Sequence, residues 1–261
     1  MAGLIMMALL FVIAVTAPFI IPYPFDMQDY DAVLLSPSLQ HPFGTDNFGR
    51  DIFSRILYGT RYTLLIGFGC TTVAALVGSV LGALSAFYSK LDNLIMRFCD
   101  ILMGIPTLIM AMSLVMALGI SMRNMMIALC ITTAPAFIRT VRAQVLTIKD
   151  QEYVEAARSI GAGNGRILMK YVFPNALAPI IVQYTLSTVS TILWAASLSF
   201  IGMGILPPTP EWGLMINAGR QYLRSNWYMS VFPGLAIILA TFSLNLMGDG
   251  LRDALDPRLK R

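Results

Sequence analysis

An all-α, polytopic membrane protein with six transmembrane helices is what the composition and run lengths of this chain call for. Of its 261 residues, 57% are hydrophobic and 12% charged, with a mean hydropathy of +0.71. A soluble globular domain carries about a quarter charged residues. The deficit is spread along the whole chain, so no stretch remains for a large soluble domain. Uncharged runs also recur at the right length, since a hydrocarbon core of about 30 Å takes about 20 helical residues.

Those runs are Met1–Tyr23, Tyr62–Ser89, Ile101–Met122 and Ser225–Gly248, with a longer one, Tyr171–Pro210, whose Pro207-Pro208 pair marks a loop at its far end. Asn124–Ile138 is short, and spans only if its helix continues past Arg139 and Arg142, whose side chains would snorkel to the interface. The first run has no basic segment before it, and its apolar stretch exceeds a usual signal-peptide core, so it is kept as a span. The missing basic flank reads as a cytoplasmic tail that is short or trimmed.

Loop charge orients the spans. With a cytoplasmic N-terminus the inside loops hold Lys90, Arg97, Arg139, Arg142, Lys149, Arg158, Arg166, Lys170, Arg252, Arg258, Lys260 and Arg261. The outside loops hold Arg50, Arg55, Arg61, Arg123, Arg220 and Arg224. Twelve against six predicts a multi-pass plasma-membrane protein with both termini cytoplasmic. The same loops account for the net charge of +4. No Lys/Arg cluster is interleaved with aromatics, which excludes a nucleic-acid partner.

The longest inside loop, about 139–173, is the informative element. Asp150 is read as an N-cap with acidic residues in the turn after it. Tyr153, Ala156, Ala157 and Ile160 then follow at helical spacing as one apolar stripe. Gly161 stands where a helix ends in the left-handed conformation. A glycine-rich turn and a second short helix closed by Pro174 complete a helix–turn–helix knuckle. A stripe of small residues on such a loop either docks into a groove on a partner or lies on the membrane surface.

The run Glu155-Ala156-Ala157-x3-Gly161-x12-Pro174 resembles the EAA motif of ATP-binding-cassette importer permeases. Two further segments resemble the C-type permeases of dipeptide, oligopeptide and nickel importers. They are His41-Pro-Phe-Gly-Thr-Asp-Asn-Phe-Gly-Arg-Asp51 and Gly248-Asp-Gly-Leu-Arg-Asp-Ala-Leu-Asp-Pro-Arg258, and Pro207-Pro-Thr-Pro-Glu-Trp-Gly213 is also family-like. One departure is Tyr171-Val-Phe173 before Pro174, where an Ile/Leu pattern is usual.

The resemblance covers nearly the whole chain and implies the type I importer permease fold. Residues 1–62 would form a first helix, an extracytoplasmic segment and an interfacial helix, and residues 63–261 a five-helix core. It implies half of a translocation path for di- or oligopeptides, with Glu155, Ala156, Ala157, Gly161 and Pro174 coupling to an ATPase. The implied partners are a homologous second permease, two cytosolic ATP-binding subunits, an extracytoplasmic solute-binding protein and the lipid bilayer. ATP and Mg would sit on the ATPases, leaving this chain with no cofactor of its own and no catalytic residues.

The residues agree on that last point. A phosphate loop needs Gly-x4-Gly-Lys-Ser/Thr, and the chain has no Gly-Lys dipeptide. One histidine, His41, and cysteines at 70, 99 and 130 inside apolar runs leave no metal spacing. The seventeen methionines are scattered as fillers.

Gly44, Thr45, Asp46, Gly49, Arg50 and Asp51, leading into an amphipathic Ile52–Tyr58 helix, read either as a structured re-entry into the membrane or as a contact with an extracytoplasmic partner. Arg97 and Asp100, three residues apart on one face, are expected to form an ion pair. Pro106 and Pro135 are expected to kink their helices. A nickel or metallophore permease is the rival within the class. A secondary transporter would need a mid-membrane acid or histidine, absent from spans four to six, and a membrane enzyme would need a convergent catalytic set.

Overall fold

A computed structural model describes residues 1–255. Asp256–Arg261 lie outside the described residues, and with them the end of the Gly248–Arg258 segment and three of the inside-loop charges. Every element is helical apart from one isolated bridge, Thr45 to Asp51. The helices are α1 (Ala2–Ile20), α2 (Ile52–Phe87), α3 (Ser89–Met103), α4 (Thr107–Leu118), α5 (Met122–Lys149), α6 (Glu152–Ser159), α7 (Asn164–Ile167), α8 (Phe173–Phe200), α9 (Trp212–Gly219) and α10 (Tyr228–Leu255). Five are long and apolar enough to cross a membrane, with α7 and α8 counted as one helix from Asn164 to Phe200. The bent pair α3–α4 makes a sixth.

Lipid is the solvent these helices are built for. Leu4, Ile5, Val15 and Phe19 on α1 face outward, as do Leu235, Ile238 and Phe242 on α10. In water such a surface would aggregate; in hydrocarbon it costs nothing.

The hub is α2, which packs on α5, α8, α3 and α1. It is one helix of 36 residues, so the interfacial helix expected over Ile52–Tyr58 is its first two turns and a domain boundary at 62 falls inside it. Asp51 caps it by accepting from the Ser54 N–H at 2.8 Å. Gly78 and Gly82, one turn apart, bring its backbone against α5. A Cβ at Gly82 would lie 2.6 Å from the Ile138 carbonyl oxygen and 3.0 Å from Val141 Cβ. Small residues at such spacing allow the close packing that holds helices together in lipid, where the hydrophobic effect does not act between them.

The third span departs from expectation. Its helix begins at Ser89, not Ile101, and breaks after Met103 with a turn of 94° before α4. Pro106 bars Ile105 from the helical region and supplies no N–H, so it breaks the span rather than kinking it. Pro135, by contrast, lies within continuous α5. At twelve residues α4 is about 18 Å long and cannot cross alone.

The Arg97–Asp100 pair is also corrected: Asp100 pairs with Arg139 of α5. Residues three apart on α3 share a face, but an arginine on the neighbouring helix reaches the carboxylate end-on. Arg142 is likewise held rather than snorkelling. Its Nε and Nη2 donate to the two carboxylate oxygens of Asp92 at 2.6 and 2.7 Å, and Ser85 Oγ bonds the same carboxylate at 2.5 Å. One polar knot thereby ties α2, α3 and α5 at the end of the bundle that carries the 150–163 turn.

At the opposite end, loops are clamped to α2 and α10. Trp212 Nε1 donates to the Ile56 carbonyl at 3.1 Å, and the Tyr228 hydroxyl to the Leu34 carbonyl at 3.0 Å. Glu211, 1% exposed, caps α9 by accepting from the N–H groups of Gly213 and Leu214 at 3.0 and 2.9 Å. Burial pushes its carboxyl above the usual carboxylate range, and those two donors oppose the shift.

Two substitutions test this packing. Gly82→Val forces α5 away from α2 and should cost about 1–3 kcal/mol of stability, read as a lowered unfolding midpoint in detergent. An unchanged midpoint would show that the close approach is not a packing constraint. Glu211→Ala should cost about 1–2 kcal/mol through the lost cap, whereas Glu211→Gln, which keeps an accepting oxygen, should cost less. Equal losses for the two would show that charge, not capping, is what the site needs.

Candidate functional site

The knuckle is built by helix ends. α5 stops at Lys149, and Asp150 is its C-cap rather than the N-cap of α6; that position belongs to Gln151, whose side chain makes no capping bond. The Gln151 carbonyl accepts instead from Val154 and Glu155. At the other end of α6 the expected left-handed glycine is present, with Gly161 at φ +86°. The Gly161 N–H donates to the Arg158 carbonyl at 2.9 Å and the Ala162 N–H to the Ala157 carbonyl at 3.0 Å. This is the paired bonding of a Schellman termination.

The stripe is divided between two faces. Val154 and Ala157 are buried, Val154 in one cluster with Val145, Ile148, Ile167 and Val172. Tyr153, Ala156 and Ile160 face outward, Ile160 being 85% exposed, with Glu155 beside them. Ala157 therefore faces the bundle, while Tyr153, Ala156 and Ile160 form an exposed apolar edge on which only the Tyr153 ring, tilted against Tyr171 at 6.3 Å, meets an aromatic neighbour among the described residues. Val154, which sequence spacing left off the stripe, is the residue that anchors it.

Pro174 does not close the second helix. It lies in the first turn of α8, which continues from α7 through a π-helical turn at Leu168–Val172. A proline has no N–H for the carbonyl four residues back and its ring crowds that carbonyl. A wider turn before it relieves both. The second helix of the knuckle and the span are thus one continuous helix.

At the opposite end, Gly44, Thr45, Asp46, Gly49, Arg50 and Asp51 are all buried. Asp46 accepts from the N–H groups of Phe48 and Arg50 at 2.8 and 3.0 Å and from Arg50 Nε at 2.7 Å. Asp51 caps α2 through one oxygen and meets His41 Nδ1 at 3.0 Å through the other. Gly49 has φ +72°, with the Asp29 carbonyl where a Cβ would stand. These residues are enclosed by their own and neighbouring segments, and of this stretch Phe48 is on the outside.

Sequence reading missed Arg55, which donates to the carbonyls of Phe25 at 2.8 Å and Pro208 at 3.3 Å and so joins three segments. The signal was available: an arginine opening an otherwise apolar helix needs buried acceptors. Among the described residues no group of three or more His, Cys, Asp or Glu side chains could hold a metal ion.

Comparison with known proteins agrees with this architecture. Residues 74–261 match the family model for the binding-protein-dependent transport system inner membrane component, and residues 1–37 that for the N-terminal TM domain of oligopeptide transport permease C. The dipeptide transport system permease protein DppC of Alkalihalophilus pseudofirmus is 42% identical over 99% of this chain and 85% of its own. The di/tripeptide transport system permease protein DppC of Pseudomonas aeruginosa is 43% identical over 100% of this chain and 88% of its own. The glutathione transport system permease protein GsiD of Escherichia coli is 44% identical over 100% and 86%.

Among solved structures, the inward-facing MetNI methionine ABC transporter superposes with a TM-score of 0.62 at 19% identity, covering 78% of this chain and 98% of that one. An amino acid ABC transporter with histidines gives 0.61 at 16% identity, covering 78% and 95%. The likeness in fold, the family models and the near-complete coverage of these relatives converge: the chain belongs to the inner membrane components of binding-protein-dependent transport systems, and is a multi-pass permease subunit of an ABC importer that works with ATPase, permease and binding-protein subunits and is not itself an ATPase.

Proposed function

We propose that this permease forms half of a translocation path for short peptides, and that its knuckle is the element through which ATPase subunits move it. The observation that carries the cargo is the 42–44% identity, over essentially the whole chain, to permeases named for dipeptides, di- and tripeptides and glutathione. In this reading the partners are a homologous second permease, two cytosolic ATPases that hold ATP and Mg, and an extracytoplasmic solute-binding protein. The N-terminus and the 139–173 loop are cytoplasmic. The first helix with its extracytoplasmic segment forms one part and the five-helix remainder the other, with the passage between them inside α2.

Coupling follows from the exposed edge. Tyr153, Ala156 and Ile160 offer an apolar strip with one small residue at its centre, which lets the backbone of a groove come close. Glu155 borders it, Ala157 and Val154 lock it to the bundle, and Gly161 ends the helix so that the chain turns back into α7. Because α7 continues through Pro174 into α8, motion passed from the strip through the 160–163 turn to α7 is delivered directly to a span.

Reconstituted complex should take up labelled dipeptide, tripeptide or glutathione in an ATP-dependent way; uptake of nickel with no uptake of peptide would overturn the cargo. For topology, single cysteines at Asn164 and Asp29, in a background without the native three, should label from opposite sides of sealed membranes. Labelling from one side would sink the arrangement.

Gly161→Leu tests the coupling. Among the described residues, chain neighbours aside, no atom lies within 4 Å of a Cβ at that position, so within them the substitution meets open space and the strain of a positive φ, about 1 kcal/mol. Normal insertion with weakened ATPase association and lost uptake is expected. Glu155→Ala should be milder, since an exposed carboxylate contributes at most about 1 kcal/mol. Full association and transport by Gly161→Leu would exclude the knuckle as the coupling element.

A further inference from the structure

Between the buried Asp46–Arg55 segment and the turn after α9 lies a cavity of about 370 Å³. Its lining holds three guanidinium groups, Arg50, Arg55 and Arg220, and a single carboxylate, Asp46. That carboxylate is already saturated. It accepts two backbone N–H groups and Arg50 Nε, and it stands 3.8 Å from Arg55 Nε. Arg55 spends its Nη1 on two neutral carbonyls. Arg220 is exposed and forms no ion pair among the described residues. The other carboxylate acting on Arg55, Asp26, is exposed and does not line the cavity.

The cavity therefore carries a surplus of positive charge against walls of low dielectric, which concentrates anions. Guanidinium forks match the planar geometry of a carboxylate and hold it with charge-assisted bonds. The rest of the lining sorts by polarity. Asn217 and Gln221 add amides, while Ile52, Met215 and Met229 supply an apolar floor. A group that is anionic at one end and aliphatic beside it fits both parts, and the volume suits a small solute.

We propose that this cavity is a binding site for a small carboxylate-bearing solute, and that for the cargo class proposed above it takes the free carboxylate of a short peptide. The cargo half of that statement rests on the peptide-importer reading; the carboxylate half does not. Arg220 is the residue to change, because it is exposed and unpaired and its loss leaves the Asp46–Arg50–Arg55 knot intact.

The test uses the complete permease–ATPase complex in nanodiscs, without binding protein, titrated calorimetrically with alanyl-alanine, its C-terminal amide and N-acetyl-alanine. The two free acids should bind, and the amide should bind at least about tenfold more weakly, since it lacks the charge-assisted bonds. Arg220→Gln should weaken both acids by about tenfold and leave the amide unchanged, and Arg220→Lys should recover part of the loss. Equal binding of acid and amide, or acid binding indifferent to Arg220→Gln, would overturn the proposal. So would a separate titration of the same complex with binding protein in which Arg220→Gln changes that affinity alone, which would assign the arginine to an acidic side chain of that partner. Arg220-dependent binding of N-acetyl-alanine by a complex that takes up no peptide would uphold the site while removing the peptide cargo.

Discussion

The close approach of α2 and α5 through Gly78 and Gly82 is the contact on which the remaining structure is assembled. In lipid, apolar side chains gain nothing by leaving the solvent, so helices hold each other through fit and through a few polar ties. Here both operate at one crossing. The glycines set the separation, and the Asp92 knot with Arg142 and Ser85 fixes the register and brings in α3. With α5 so placed, its end presents the knuckle at a defined position, and Val154 packs into the cluster beneath it. Loosening that crossing would release the site even though no residue of the site would have changed.

The two ends of the bundle solve different problems. At the knuckle, an apolar edge is left largely exposed, on a helix terminated by a left-handed glycine. At the opposite end the buried charges are tied down: Asp46, Asp51 and Glu211 each give at least one oxygen to backbone N–H groups, Arg50 and His41 take the second oxygens of Asp46 and Asp51, and Arg55 gives a guanidinium nitrogen to backbone carbonyls. Buried charge of this kind is tolerated because each group is satisfied. It leaves the extracytoplasmic segment of the proposed topology as a rigid wall. Arg220, at the edge of that wall, is the one lining charge of the cavity left out of such bonding.

How much of this was legible in the sequence depended on which physical signal each feature left. Span lengths were plain, because a hydrocarbon core demands a run of apolar residues whatever the packing. Gly161 was legible because the left-handed position selects glycine almost alone. The third span was misread because hydropathy records composition and not direction, and Pro106 turns the helix through a right angle that no average over residues reveals. Asp100 was matched to Arg97 because local spacing is visible in sequence, while Arg139 is brought close only by the α3–α5 packing. The stripe on α6 was read one residue off for a related reason: Val154 and Ala157 are buried by neighbours from distant segments, and no periodicity within eight residues says which side those neighbours occupy.

The π-helical turn at Leu168–Val172 also fixes a mechanical ratio. The helix that begins at Asn164 runs unbroken for 37 residues to Phe200, about 55 Å at 1.5 Å per residue. A rod of that length driven from its knuckle end amplifies rotation: a tilt of about 10° at one end displaces the other by about 10 Å, more than the width of an extended peptide chain. The turn sits within the first ten residues, where its wider hydrogen-bond rings are the most compliant part of the rod. Any angle that turn absorbed would be lost over the 28 residues of α8 beyond it, about 42 Å of lever arm, so the stroke depends on the turn keeping its shape under load.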